Sequence, residues 1–79
     1  MGKFKNIPLS VIRAYLVHCG LNHIRTKGGH EIWSAKGLTR PVVLQTHIDP
    51  VPEFIIKNNL RTMGKTDDDF LAFLNKKKA

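Results

Sequence analysis

Gly28 and Gly29 stand side by side between two short segments of alternating polarity, and this pair constrains the fold more than any other feature of the chain. Two residues that tolerate positive φ, placed between strand-like runs, are the sequence form of a tight antiparallel hairpin. Residues 21–26 supply the first strand, with Asn22, Ile24 and Thr26 on one side and His23, Arg25 and Lys27 on the other. The second set is entirely basic or titratable. Residues 30–35 return as the second strand, residues 36–40 turn around Gly37, and residues 41–46 make a third strand through Val42, Val43 and Leu44. Pro41 suits the first residue of a strand, where no ladder donor is needed.

Helical patterns flank this sheet. Residues 8–19 carry Leu9, Ile12, Leu16 and Cys19 at spacings of three and four, with Pro8 at the first helical position and Gly20 just past the end. A second helix is expected from Asp49 or Pro50 to Met63, with Ile56, Leu60 and Met63 inward and Gly64 closing it. Thr66 then caps a third helix that opens on Asp67, Asp68 and Asp69 and ends on Lys76, Lys77 and Lys78, charges that complement the helix dipole at both ends. The expected architecture is α+β: a helix, a three-stranded antiparallel sheet and a second helix, with an extra helix at the C-terminus.

At 79 residues the chain is read as one domain, and a domain this short buries only about 60% of its unfolded surface, which argues against a large substrate cavity. Thirteen Lys and Arg face 6 Asp and Glu, a formal charge of +7. Three of those acids lie at the start of the third helix, so the basic excess belongs to the body of the domain. Such a field favours a polyanion, either a nucleic acid or an acidic protein. The lone Cys19 excludes an internal disulfide, and no apolar run approaches the ~18 residues that span a membrane, so a cytoplasmic location with no membrane partner is expected. The histidines, Cys19 and Asp49 lack metal-ligand spacings, and no metal is expected.

His30 directly follows the glycine pair. A neutral imidazole takes a proton near physiological pH, and glycine lets phosphate approach backbone amides, so this position suits a base beside a phosphate. The spacing alone suits equally a strand-end histidine bonded to a carbonyl. Trp33 is read as a core or interface anchor before a base-stacking group, and Arg13, Arg40, Lys57 and Arg61 as surface charges.

The run from Ile7 to Gly64, above all Arg25, Thr26, Lys27, Gly28, Gly29 and His30, resembles the HicA (YcfA-like) toxins, small mRNA interferases of type II toxin–antitoxin systems. The resemblance implies a double-stranded-RNA-binding-domain-like fold over that run, with the last helix outside it. It implies that His30 is the catalytic histidine, Gly28 the motif glycine, Gly20 and Gly64 the helix-closing glycines, and that His47 lies near the family's second histidine position. Gly29 stands where many members carry Ser or Thr, and Gln45 where a strand-ending proline is common. RNA binding and transition-state support are therefore expected from Lys27, Arg25, the Gly28 and Gly29 amides and His47, and the leaving oxygen is expected to take its proton from His47 or equally from solvent. The implied activity is metal-independent, cofactor-free endonucleolytic cleavage of mRNA, with His30 as general base on a 2′-hydroxyl. The implied protein partner is a HicB-like antitoxin. Two other classes fit the residues taken alone: a non-catalytic RNA-binding module of the same fold, and a domain that acts only through an acidic protein.

Overall fold

The computed structural model describes residues 4–78, with side chains as far as Lys76, so Lys77 and Lys78 of the expected basic helix end lie outside the described side chains. Helix α1 (Leu9–His18) leads into strands β1 (Asn22–Lys27), β2 (His30–Ser34) and β3 (Val42–Gln45), followed by helices α2 (Glu53–Met63) and α3 (Asp67–Lys78). The sheet is antiparallel in the order β1-β2-β3. The α+β architecture is the one expected from the sequence.

Both glycine stops end their helices in the same way. Gly20 adopts φ +87°, Gly20 N–H donates to the Val17 carbonyl and Leu21 N–H to the Leu16 carbonyl. At the end of α2, Gly64 adopts φ +71°, with Gly64 N–H on the Arg61 carbonyl and Lys65 N–H on the Leu60 carbonyl. These paired bonds are Schellman closures, which need a left-handed residue just past the helix.

The helix starts depart from the expectation. Pro8 is the residue before α1 rather than its first member, in extended conformation at φ −65° and ψ 150°. The first helical amide, Leu9 N–H, is satisfied from 40 residues away by Asp49 Oδ1 at 3.0 Å. Asp49 thus caps α1, not α2. Helix α2 starts later, at Glu53 behind Pro52, because Val51 precedes a proline, is steered away from helical backbone, and bridges to Ile7 instead. The Val51 N–H donates to the Ile7 carbonyl at 2.8 Å, tying the segment before α1 to the segment before α2.

All helices pack on one face of the sheet. Leu9, Ile12, Tyr15 and Leu16 of α1, Ile56 and Leu60 of α2, and Phe70 of α3 share one buried cluster with Trp33, Val42 and Leu44. Cys19 and Met63, expected at the inner faces, pack at the margin of that cluster. Helix α3 is not an appendage. Phe70 is fully buried, its ring 4.8 Å from Tyr15 and 5.0 Å from Phe4, both edge-to-face. Thr66 Oγ1 accepts from Asp69 N–H at 3.1 Å, the expected cap, and Asp69 Oδ2 accepts from the Tyr15 hydroxyl at 2.5 Å. Burial and that bond both hold Tyr15 protonated, raising its pKa. Replacing a fully buried ring at this junction removes both transfer energy and packing. Phe70→Ala is expected to lower unfolding free energy by about 3–5 kcal/mol in urea denaturation, large for so small a domain.

Candidate functional site

The site is built on the sheet face that the helices leave open, and a buried carboxylate decides which face that is. Glu31 is only 7% exposed and lies among the core residues of β2 and β3. Its carboxylate accepts from the Arg13 guanidinium of α1, with Nε to Oε1 at 3.2 Å and a second, shorter bond from the terminal nitrogen to Oε2. It also accepts from Trp33 Nε1 at 3.0 Å. Arg13 is therefore a structural partner rather than a free surface charge. The guanidinium holds the Glu31 pKa below its ordinary value against the opposing effect of burial, and the indole bond acts in the same sense. Because successive residues of a strand point to opposite faces, fixing Glu31 and Trp33 inward turns His30 and Ile32 outward.

The register then assembles the outward set. His30 pairs with Lys27 on β1 and with Gln45 on β3, while Ile32 pairs with Arg25 and Val43. Directly opposed residues carry their Cβ atoms roughly 4.5–5.5 Å apart. His30 is thus flanked by a cation on one side and an amide on the other, and all three belong to one end of the sheet. Lys27, Arg25 and His30 are exposed and Gln45 is half-buried.

One of the expected neighbours is absent. His23 was expected on the same side as Arg25 and Lys27, but the ladder slips between His23 and Arg25, so that Ile24 is an extra residue in β1. This bulge reverses the alternation. His23 turns to the helix side, where its Nε2 lies 2.8 Å from Thr26 Oγ1 and its ring 5.4 Å from that of Trp33. Arg25 and Lys27 lie on the turn side of the bulge and keep the register that puts them on the open face with His30, so the bulge removes only His23 from that set.

The turn departs from expectation as well. Gly28 alone has positive φ, at +59°, so the loop has the form of a type II′ turn, which requires glycine at its first central position. Gly29 is needed for space. A Cβ built there would lie 2.7 Å from Nδ1 and 3.0 Å from Cε1 of His47. The imidazole of His47 is therefore seated on the glycine that precedes His30. Thr46 holds it there: its N–H donates to the Gly29 carbonyl at 2.8 Å and its hydroxyl to the same oxygen at 3.3 Å. Ile48 N–H closes a turn on the Gln45 carbonyl at 3.3 Å, with His47 inside it. Of the residues singled out in sequence, Arg25, Lys27 and His30 share the open face, Gly28 and Gly29 form the turn at its end, and His47 lies against Gly29 at that turn.

The remaining candidates lie elsewhere. Trp33 is in the core at 7% exposure. His18 ends α1 with its ring 5.0 Å from Phe73. Lys57 pairs with Asp67 at 3.3 Å. Among the described residues no group of three His, Cys, Asp or Glu side chains is placed to hold a metal ion, and no helix is long and apolar enough to cross a membrane.

The Glu31 anchor has a pH signature. A carboxylate whose folded pKa is depressed contributes in full above its unfolded value, here 4.5, and the contribution is lost as pH falls through the folded pKa. The melting temperature of the wild type should thus fall more steeply than that of Glu31→Gln between about pH 5 and pH 3. At neutral pH Glu31→Gln is expected to cost about 1–2 kcal/mol, with solvent around the half-exposed Arg13 keeping it toward the lower figure.

Comparison with family models finds no match, and neither the curated proteins nor the solved structures contain a match to this chain.

Proposed function

We propose that this protein is a metal-independent endoribonuclease of the HicA type, the toxin component of a toxin–antitoxin pair acting on mRNA in the cytoplasm. The observation that carries the reading is the placement of His30 on the open sheet face between Lys27 and Gln45, at the mouth of a glycine turn and in a chain of net charge +7. The chemistry requires little more. RNA carries its own nucleophile, the 2′-hydroxyl, and an exposed imidazole is a competent base for it near neutral pH. Lys27 and Arg25 stand on the same face to offset charge gathering on the phosphorane, the role for which preorganised cations and amides are most effective.

The composition of the face defines how RNA is held. Among the described aromatic residues, Phe4, Tyr15, Trp33 and Phe70 are buried and Phe54 and Phe73 are on helices, which leaves the sheet face without a Phe, Tyr or Trp ring on which to stack a base. Binding therefore runs through phosphates, and affinity depends strongly on salt. The same face carries Ile32 and the exposed Val43, an apolar strip beside the cations that suits an acidic, HicB-like antitoxin covering His30 and Lys27.

In the presence of a chelator, the purified protein is expected to cleave single-stranded RNA, and His30→Ala to lose about 10²–10⁴-fold in rate while retaining RNA affinity. Equal activity of the two proteins removes His30 as the base. Binding by both without products assigns the domain to non-catalytic RNA recognition. Lys27→Ala should lower the slope of log affinity against log salt by about 0.7, the loss of one phosphate contact on a single strand.

A further inference from the structure

We propose that His47 is the general acid of this site, working opposite His30. The inference rests on the ribonuclease reading above and assigns the second proton transfer that cleavage requires. Attack by the 2′-oxygen forms a bond to phosphorus and releases its proton to the His30 imidazole. The bond from phosphorus to the 5′-oxygen then breaks, and that oxygen takes a proton from the His47 imidazolium. The products are a 2′,3′-cyclic phosphate and a 5′-hydroxyl. Without an acid, the departing group would be an alkoxide, a poor leaving group in water.

The geometry singles out His47. Its ring occupies the volume that any side chain at position 29 would need, 2.7 Å from the position of a Cβ there, so it is held against the residue next to His30. Both bonds from Thr46 to the Gly29 carbonyl fix the chain on which it is mounted. Gln45, two residues before it, is the cross-strand partner of His30. The ring is exposed and free to meet a phosphodiester lying across the turn.

Other donors are excluded by place or by chemistry. The Tyr15 hydroxyl is in the core and bonded to Asp69. Glu31 is buried, on the opposite face, and its depressed pKa keeps it ionised. His23 is on the helix side of the bulge and His18 is at the end of α1. Lysine and arginine side chains as classes hold their protons too tightly to serve as acids at neutral pH, whereas imidazole as a class exchanges its proton there. Gly29 also gains a role. The absence of a side chain there, which removes a hydroxyl from the turn, is what admits the second imidazole.

A leaving-group comparison tests this directly. A diribonucleotide and uridine 3′-(4-nitrophenyl phosphate) undergo the same attack, but 4-nitrophenolate departs without a proton. His47→Ala and His47→Gln are expected to slow diribonucleotide cleavage by about 10²–10⁴-fold and to be rescued on the nitrophenyl ester, while His30→Ala slows both substrates. His47 variants that cleave the diribonucleotide at the wild-type rate, or that lose both substrates alike, overturn the assignment. A wild-type protein that cleaves neither substrate removes the nuclease reading itself and the acid with it.

Discussion

The buried bond between Glu31 and Arg13 is the constraint on which the rest of this structure depends. A carboxylate at 7% exposure is tolerated only with a charged partner, and leaving it unpaired would cost several kcal/mol. Arg13 on α1 and the Trp33 indole supply its bonds, so β2 can meet the helices in one orientation only. A one-residue slip of β2 would bury His30 and Ile32 and expose Glu31 and Trp33. The strand thus carries an internal polarity: every residue that anchors it faces inward, and the residue with useful proton chemistry faces out.

Three local devices convert that polarity into a site. The II′ turn puts Lys27 opposite His30 and so Arg25 opposite Ile32 on the open face, the bulge at Ile24 turns His23 away from them, and the Thr46 bonds to Gly29 draw His47 over the same turn. Each is a backbone feature, and each acts within a few residues of the hairpin. The distant parts of the chain contribute rigidity. Asp49 caps α1, Val51 bridges to Ile7, and Phe70 locks α3 against Tyr15, so a domain of 79 residues closes its core with all helices on one side and leaves the other sheet face uncovered.

Much of this is readable in the sequence wherever the signal is local. The glycine pair announces the hairpin, Gly20 and Gly64 stop their helices, and Thr66 caps the third, because each depends on conformations of a few adjacent residues. Face assignment is not local. Alternation in β2 separates His30 and Ile32 from Glu31 and Trp33, but only the ion pair with Arg13 says which pair is inside. The bulge has no signature in residues 22–27, which contain no glycine or proline, and so alternation alone sets His23 beside Arg25 and Lys27. Asp49 resembles a cap for the helix that follows it, yet its partner is 40 residues earlier. Phe70 is unremarkable in a charged segment until Tyr15 and Phe4 are seen around it.

The central claim is that the open end of the sheet, not the helix surface, receives RNA. Chemical-shift mapping with a cleavage-resistant 2′-O-methyl oligoribonucleotide tests it most directly. The account predicts that amide and imidazole shifts concentrate at Arg25, Lys27, Gly28, Gly29, His30, Gln45 and His47 and leave the Trp33 indole N–H unmoved. Shifts confined to Lys57, Arg61 and Lys65 on the α2 side, with the hairpin silent, would contradict it.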